Sequence, residues 1–391
     1  MSSQPIWLTT EYIQKFLLAS FKDEELKIKN FEVSPGSSAG DGYLSTIFRI
    51  KISTNKKPIS IIAKVLLTGT SADTIQGSFN VYDKEKLVLE TLLPKTLSKF
   101  SNPNLFFAKF YYADDVYRTL FLEDLCEDGF QLCDHGSNGL DLQHSLLVIE
   151  TLAKLHGTSY LVFKEEASLA KNFEKYFYCE ENRKLLENWT MNAHRGIMEI
   201  IDEWKLLEEY KKKLRNADDW VSRMIKTWER TDDQINVLVQ TDCWVNNLMF
   251  KYNKNGVEAV KMVDFQLASY HSLTLDLAGF IFTSTSIDVK TNHLNTLMDH
   301  YYDHFTGITG SIENFSKEKL WKEFHERLFI GFITLICFSP VVMAPSKTKA
   351  IDTDAIANGE DISSNTQIYK NPKFLDCVEK LMPYFVQHNV I

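Results

Sequence analysis

Three metal- or proton-binding side chains stand in a fixed order around a predicted β-hairpin, and this pattern constrains the chain more than any other feature. Asp242 and Asn247 are five residues apart beside one apolar strand-like run, and Asp264 follows a second run. Between the two runs, Asn-Lys-Asn-Gly at 253–256 is typical of a turn. The sequence therefore predicts that the hairpin brings Asp264 close to Asp242 and Asn247.

Phosphoryl transfer from ATP needs these residue types in this order. A carboxylate must lie beside the attacking hydroxyl, and an amide and a second carboxylate must hold Mg²⁺. The kinase pattern of a catalytic Asp, an Asn five residues later and a following Asp-Phe has the same order and spacing. We therefore predict Asp242 as the catalytic base and Asn247 and Asp264 as Mg²⁺ ligands, although each short motif also occurs by chance in loops.

A lysine interrupts the apolar run 60–66, which is typical of a buried strand. A buried ammonium is costly unless anions surround it, and ATP phosphates together with a helix carboxylate would supply them. A helix is predicted at 81–93, ending at Pro94, and its Glu85 is the predicted partner of Lys64, with Glu90 as the next candidate. The alternatives are an edge-strand lysine that reaches water and a solvated glutamate.

The segment 35–45 is rich in glycine and serine and lies between two strand-like stretches. Its Gly40, Asp41 and Gly42 would let backbone N–H groups close over phosphates. The segment does not match G-x-G-x-x-G, and a glycine-rich hairpin turn explains it equally well. The order of glycine loop, strand lysine, helix glutamate and Asp/Asn loop nevertheless favours ATP-dependent phosphoryl transfer.

The chain resembles the ecdysteroid kinase-like family, which is related to the choline and aminoglycoside kinases, over roughly residues 5 to 385. The resemblance is carried by Gly40-Asp41-Gly42-Tyr43-Leu44-Ser45, Ala63-Lys64, Glu85, Leu122-Glu123-Asp124-Leu125, Gly129-Phe130, Leu152-Ala153-Lys154-Leu155-His156, the stretch from Asp242 to Tyr252, Val263-Asp264-Phe265-Gln266 and Asp276-Leu277-Ala278. It implies a small-molecule kinase that phosphorylates a hydroxyl, with an ecdysteroid as the best-known substrate of the family and hormone inactivation or detoxification as the role.

The chain departs from the family where Gln240-Thr241-Asp242 replaces the usual His-Gly-Asp, and also at Leu89, where a tyrosine is common. Glutamine can brace the catalytic loop by hydrogen bonds as histidine does. Threonine is less suitable if the position requires a glycine backbone angle. The alternative function is therefore a kinase-like binding protein without turnover. Asp276 is expected to brace the catalytic loop, and His156 is expected to be a satisfied core residue.

The resemblance implies an α+β, two-lobed protein kinase-like fold, and periodicity predicts its coarse layout. Residues 1–122 would form a small β-rich N-lobe, and residues 123–391 a mostly helical C-lobe containing the catalytic hairpin. Glu123, Asp124 and Leu125 would form a hinge whose backbone holds the adenine edge. Thr10 is predicted to cap a helix over 11–20, and the apolar stretch 328–343 is predicted to be one buried helix.

Composition limits the partners. The 391 residues carry a net charge of −9, from 43 basic and 52 acidic side chains, which argues against nucleic acid. The six cysteines show no C-x-x-C spacing, and the N-terminus lacks the pattern of a signal peptide. We therefore expect a cytoplasmic protein with reduced thiols, no membrane span, ATP and Mg²⁺ as cofactors and a small-molecule hydroxyl substrate. From the sequence alone, Lys64→Met is expected to spare folding better than Glu85→Ala.

Overall fold

The computed structural model describes residues 4–36, 44–67, 79–100, 106–133, 138–343 and 368–391. The strands are β1 (Ile28–Pro35), β2 (Ser45–Thr54), β3 (Ile59–Leu66), β4 (Phe110–Asp114), β5 (Thr119–Glu123), β6 (Phe130–Leu132), β7 (Asn236–Val239), β8 (Leu248–Asn253), β9 (Gly256–Met262) and β10 (Ser269–Ser272). The helices are α1 (Thr10–Phe21), α2 (Val81–Leu87), α3 (Leu93–Leu97), α4 (Leu142–Glu165), α5 (Ala167–Ala170), α6 (Arg183–Met198), α7 (Glu208–Arg215), α8 (Trp220–Thr227), α9 (Thr274–Ser284), α10 (Ile287–Asn292), α11 (Leu294–Thr309), α12 (Lys317–Glu326), α13 (Leu328–Cys337), α14 (Ser339–Val342) and α15 (Pro372–Gln387).

A five-stranded antiparallel sheet forms the first part of the molecule, in the order β1-β2-β3-β5-β4. Strand β3 lies in the middle, where Lys64 is opposite Ile47 on one side and Leu120 on the other. The alternative of an edge-strand lysine is therefore wrong. The Lys64 side chain is also only 6% exposed, so its charge must find partners inside the protein.

Helix α1 covers one face of this sheet. Its Ile13, Phe16 and Leu17 are buried in a core that includes Ile50 and Phe121 from the sheet. Thr9 rather than the predicted Thr10 caps the helix, because Thr9 has an extended backbone and its hydroxyl accepts the Tyr12 N–H.

Pro94 does not end the helix that follows β3, contrary to the sequence expectation. Helix α2 continues through a π-helical turn, Val88–Leu92, into α3. Pro94 lies in the first turn of α3, directly after the π-helical turn. The buried side chains of these segments belong to the same core as the large helical part of the molecule. Glu85 is therefore held between the sheet and the helical part.

Helix α4 is the central helix of the second part of the molecule. Its inner face includes Ile149, Leu152 and Ala153, which are buried, whereas Leu142 and Leu146 are partly buried. Among the described helices, α4 is the one that is long and apolar enough to cross a membrane, and 67% of its most apolar window is buried within the protein. Such burial is typical of a core helix.

The apolar stretch 328–343 forms two helices, α13 and α14, instead of the single predicted helix. The break falls at Phe338, two residues before Pro340. A proline in the interior of a helix removes one hydrogen bond and clashes with the preceding turn, so the chain restarts as α14. The Ser339 hydroxyl donates to the Phe282 carbonyl oxygen at 2.9 Å and fixes the corner against α9.

The predicted catalytic hairpin is present. Strands β8 and β9 pair antiparallel, and Asn253 is opposite Gly256 across the predicted turn. Asp242 follows β7, and Asp264 follows β9, so both lie where strands end. The predicted α+β fold with two lobes is confirmed. The division between Leu122 and Glu123 stays a prediction; Glu123 is the last residue of β5.

Two glycines on the packed helices α9 and α13 offer a test of this core. A Cβ at Gly331 would overlap the Phe282 ring, whereas a Cβ at Gly279 meets no described atom within 4 Å. We expect Gly331→Ala to lower the free energy of unfolding by about 1–3 kcal/mol through overpacking. Gly279→Ala, the matched control, should raise it by up to about 1 kcal/mol because alanine favours the helix. Urea unfolding of both variants measures the difference, and equal effects would contradict the packing.

Candidate active site

Lys64 binds two carboxylates at once. Its Nζ lies 2.6 Å from Oε2 of Glu85 and 2.9 Å from Oδ1 of Asp264. Burial alone would lower the pKa of Lys64, but the two carboxylates outweigh it and raise the pKa, so the ammonium stays charged. The predicted ion pair with Glu85 is therefore present, whereas Glu90 is exposed.

Glu85 also holds the segment that follows Asp264. Its second oxygen, Oε1, accepts the Phe265 N–H at 3.1 Å. The carboxylate thus joins the strand lysine to the Asp-Phe segment, and it is 3% exposed. One side chain on α2 therefore fixes the separation between the sheet and the loop after β9.

Asn247 holds the predicted base. Its Nδ2 donates to the backbone oxygen and to Oδ2 of Asp242, both at 2.9 Å. Burial and the nearby Asp264 carboxylate together raise the pKa of Asp242 to about 7, against the hydrogen bond from Asn247, which lowers it. A carboxyl group with a pKa in this range is suited to accept a proton at neutral pH.

The donor atoms at Asn247 and Asp264 fit a magnesium ion. The Asn247 amide nitrogen is used by Asp242, which leaves Oδ1 as the ligand atom, and Asp264 has a carboxylate oxygen besides the one that binds Lys64. The Val263 N–H donates to the Asn247 carbonyl oxygen at 3.0 Å and keeps the two segments side by side. Oxygen ligands of this kind are what Mg²⁺ prefers.

Gln240 braces the loop in place of the family histidine. Its Nε2 donates to the backbone oxygens of Val263 at 2.6 Å and Asp264 at 3.0 Å. Asp264 itself has a positive φ of 66°, which is unfavourable for a residue with a side chain. The two hydrogen bonds from Gln240 hold the backbone in this conformation.

Asp276 has the structural position expected of it. Its carboxylate accepts the N–H groups of Gln240 at 2.6 Å and Thr241 at 2.8 Å. His156 lies 3.2 Å from the same carboxylate through Nε2, and its Nδ1 lies 2.8 Å from the Tyr301 hydroxyl. His156 is thus a satisfied core residue, as predicted. Tyr301 was missed because nothing in its helical pattern indicates this contact.

Thr241 adopts the backbone conformation in which glycine is favoured. Its φ is 72°, and a β-branched residue there is strained. The N–H bond to Asp276 and a 3.1 Å contact between the Thr241 and Ser269 hydroxyls offset part of this cost. The substitution therefore strains the loop without removing Asp242 from its place.

The predicted hinge residues lie at the cleft, but their carboxylates are used by the protein. Asp124 binds Arg49 Nε at 2.7 Å and the Ser60 hydroxyl at 2.6 Å. Glu123 binds Lys261 at 3.1 Å, and its own N–H donates to the Lys109 carbonyl oxygen. The side chains therefore brace the hinge rather than bind a nucleotide.

Arg49 is a further residue that sequence reasoning missed, because its partner Asp124 is 75 residues away. Leu125 is buried, lines the cleft and begins a 3-10 turn. Its N–H has no partner among the described residues and is the candidate group for an adenine edge.

A cavity of about 560 Å³ brings most of the predicted site residues together. Its lining includes Lys64, Glu85, Glu123, Asp124, Leu125, Asn247 and Asp264. Asp242 adjoins it through Asn247. Gly40, Asp41 and Gly42 lie outside the described residues, so their predicted role stays a prediction.

These features together define a kinase-like phosphotransferase: a sheet with a paired lysine, a helical part, and an Asp/Asn loop between them. The family model described as the ecdysteroid kinase-like family matches residues 39–313, and the chain belongs to that family.

Solved structures with similar folds include choline kinase from Cryptosporidium parvum, with 12% identity over 98% of both chains and a TM-score of 0.48. The Plasmodium vivax ethanolamine kinase matches with 13% identity, 97% of this chain and 90% of its own, and a TM-score of 0.45. A spectinomycin phosphotransferase solved with ADP and its antibiotic matches with 13% identity, 96% of this chain and 100% of its own, and a TM-score of 0.41. No curated protein matches the chain.

Because Lys64 also binds Asp264, we now expect replacement of Lys64 to destabilise the protein more than replacement of Glu85. This is the opposite of the order expected from the sequence. Lys64→Met leaves two carboxylates without their cation, and we expect it to lower the free energy of unfolding by about 3–5 kcal/mol. Glu85→Gln should cost less because Lys64 keeps Asp264. Glu90→Gln, the exposed control, should change it by less than about 0.5 kcal/mol.

The pH dependence of the stability loss in Lys64→Met distinguishes an electrostatic cause from lost packing. Burial raises the pKa of Glu85, and in Lys64→Met no cation opposes that shift. A raised pKa in the folded state costs stability as pH rises, so the loss should be largest at neutral pH and shrink toward about pH 4. Urea unfolding at several pH values measures it, and a loss that is the same at every pH would contradict the electrostatic account.

Thr241→Gly should relieve the strained backbone. We expect the free energy of unfolding to stay the same or to rise by about 1 kcal/mol, because the left-handed conformation costs an ordinary residue about that much. Thr46→Gly, the same substitution at an extended position in β2, should lower it by about 0.5–1 kcal/mol. Chemical unfolding compares the two, and equal losses would show that Thr241 is not strained.

Proposed function

We propose that the protein transfers the terminal phosphoryl group of ATP to a hydroxyl of a small apolar alcohol of the ecdysteroid type. The observation that carries the proposal is the meeting of Lys64, Asp264 and the Asn247–Asp242 pair at one cleft. Membership of the ecdysteroid kinase-like family supports it. The role would be the inactivation of a steroid hormone or the detoxification of a foreign compound, and the location the cytoplasm.

Asp242 is the group that accepts the hydroxyl proton in this proposal. Its carboxylate is oriented by Asn247, and its raised pKa makes it a stronger base than an ordinary aspartate. Asn247 and Asp264 would hold Mg²⁺, which would neutralise charge on the phosphates. Lys64 is positioned by Glu85 and would contact the phosphates with its ammonium.

The surroundings of Asp242 support an apolar, ring-shaped acceptor. The Asp242 carboxylate contributes to the raised pKa of Tyr178, which places that ring near the base, and Tyr178 stacks on Trp228 with 4.5 Å between centroids. Trp244 follows Asp242 by two residues, and a hydrogen bond from its side chain opposes the rise in the pKa of Asp242. Tyr178 and Trp244 are partly buried, and partly buried aromatic faces bind flat apolar molecules.

The alternative is a binding protein that has lost turnover at Gln240-Thr241. The hydrogen bonds of Gln240 to both backbone oxygens favour turnover, because they keep Asp264 in place. The strained backbone at Thr241 is the observation that favours a binding protein without turnover.

Phosphate transfer to a panel of ecdysteroids, plant secondary alcohols and choline tests the proposal. We expect a polycyclic alcohol to be phosphorylated in the presence of Mg²⁺ and ATP. Asp242→Asn should lower turnover by about 10² or more, since a positioned base contributes at least that factor. Glu90→Gln is the control and should keep parental activity.

Nucleotide affinity should be nearly the same in Asp242→Asn and the parent. Full turnover in Asp242→Asn would remove Asp242 from the mechanism. Tight nucleotide binding by the parent without phosphorylation of any alcohol would favour the binding protein instead.

A further inference from the structure

Two histidines and a glutamate meet in the helical part, and none of them lines the cleft. His300 and His304 are one turn apart on α11, and Glu150 faces them from α4. One ligand atom from each side chain lies within 4.8 Å of the others. The two imidazole rings are 4.3 Å apart between centroids. The cluster does not share a residue with the site at Lys64 and Asp242.

His300 has a ring nitrogen that the protein leaves without a partner. Its Nε2 is buried from solvent and forms no hydrogen bond with the described residues. A buried polar atom without a partner costs free energy, and few such atoms occur in folded proteins. Neutral imidazole is the form that binds a metal.

We propose that His300, His304 and Glu150 bind a divalent transition-metal cation of the zinc class. Two imidazole nitrogens and a carboxylate oxygen are a common set of three zinc ligands, with a water in the fourth position. A tetrahedral site with Zn–N bonds of about 2.05 Å needs ligand atoms about 3.4 Å apart. Small side-chain rotations would bring the three groups from the observed separations to that value.

The imidazole ligands of this cluster disfavour Mg²⁺, the cation expected in the cleft. Imidazole nitrogen favours Zn²⁺, Co²⁺, Ni²⁺ or Cu²⁺ over Mg²⁺, which prefers oxygen ligands. Lys154 competes for the site, since its Nζ lies 2.7 Å from Oε1 of Glu150. Both partners of this pair are half-buried and one helical turn apart, and such pairs are weak. A metal ion that displaces the Lys154 ammonium therefore loses little free energy by breaking this ion pair.

A metal at this place would clamp α4 to α11. The residue after His300 is Tyr301, whose hydroxyl lies 2.8 Å from Nδ1 of His156. The clamp would therefore fix the helix that supports the network behind the catalytic loop. Binding itself does not depend on the proposed kinase activity, so the two can fail separately.

Calorimetric titration of the full-length protein with Zn²⁺ tests the site. Millimolar Mg²⁺ is kept in every sample so that the oxygen ligands of the cleft are occupied. We expect one Zn²⁺ per chain and a loss of affinity of about 100-fold in His304→Ala, because even residues that only support a metal ligand contribute about 10- to 100-fold. Glu150→Gln, which keeps size and removes charge, should lose affinity by at least about 10-fold.

His388→Ala is the matched control, because His388 stacks on His325 at 4.1 Å elsewhere on the surface. It should bind Zn²⁺ like the parent. Titration with Co²⁺ adds a spectroscopic signal, since intense visible absorption indicates tetrahedral coordination; the signal should disappear in His304→Ala. Circular dichroism checks that each variant is folded.

Equal affinity of the parent and His304→Ala would overturn the proposal, as would a loss in His388→Ala as large as that in His304→Ala. If His304→Ala does not fold, His300→Gln replaces it. Unchanged affinity in that variant would equally overturn the site.

Discussion

The Lys64 ammonium between Glu85 and Asp264 is the interaction on which the rest of the site depends. Lys64 is buried, so its charge must be neutralised from within the protein. Glu85 does this from α2 and also holds the Phe265 N–H. Asp264 does it from the loop after β9. Three distant parts of the chain thus meet at one buried charge, and the cleft forms where they meet.

A second network holds the catalytic loop from behind. The Asp276 carboxylate binds two successive N–H groups of the loop, and His156 supports it from α4. The Gln240 side chain donates hydrogen bonds to the backbone oxygens of Val263 and Asp264. The loop is therefore fixed at both ends although its sequence departs from the family pattern. The strain at Thr241 is stored in this loop, where several hydrogen bonds determine one conformation.

The resemblance to a known family implied the two-lobed fold, and local patterns predicted the strand of Lys64, the helix of Glu85 and the hairpin before Asp264. Each of these three elements depends on residue types within a few positions of one another. The contact of Lys64 with Asp264 spans 200 residues, and no local pattern contains it. The use of the Asp124 carboxylate by Arg49 likewise depends on a contact between distant parts of the chain. Tyr301 could not be predicted, because a buried tyrosine on a helix is typical of any core.

The magnesium dependence of ATP affinity tests the central claim most directly, which is that Asp264 serves both Lys64 and a cation. Calorimetric titration with ATP, with and without Mg²⁺, compares the parent protein with Asp264→Asn. The account predicts that Mg²⁺ strengthens ATP binding to the parent and has no such effect on Asp264→Asn. An equal effect of Mg²⁺ on both proteins, or on neither, would contradict it.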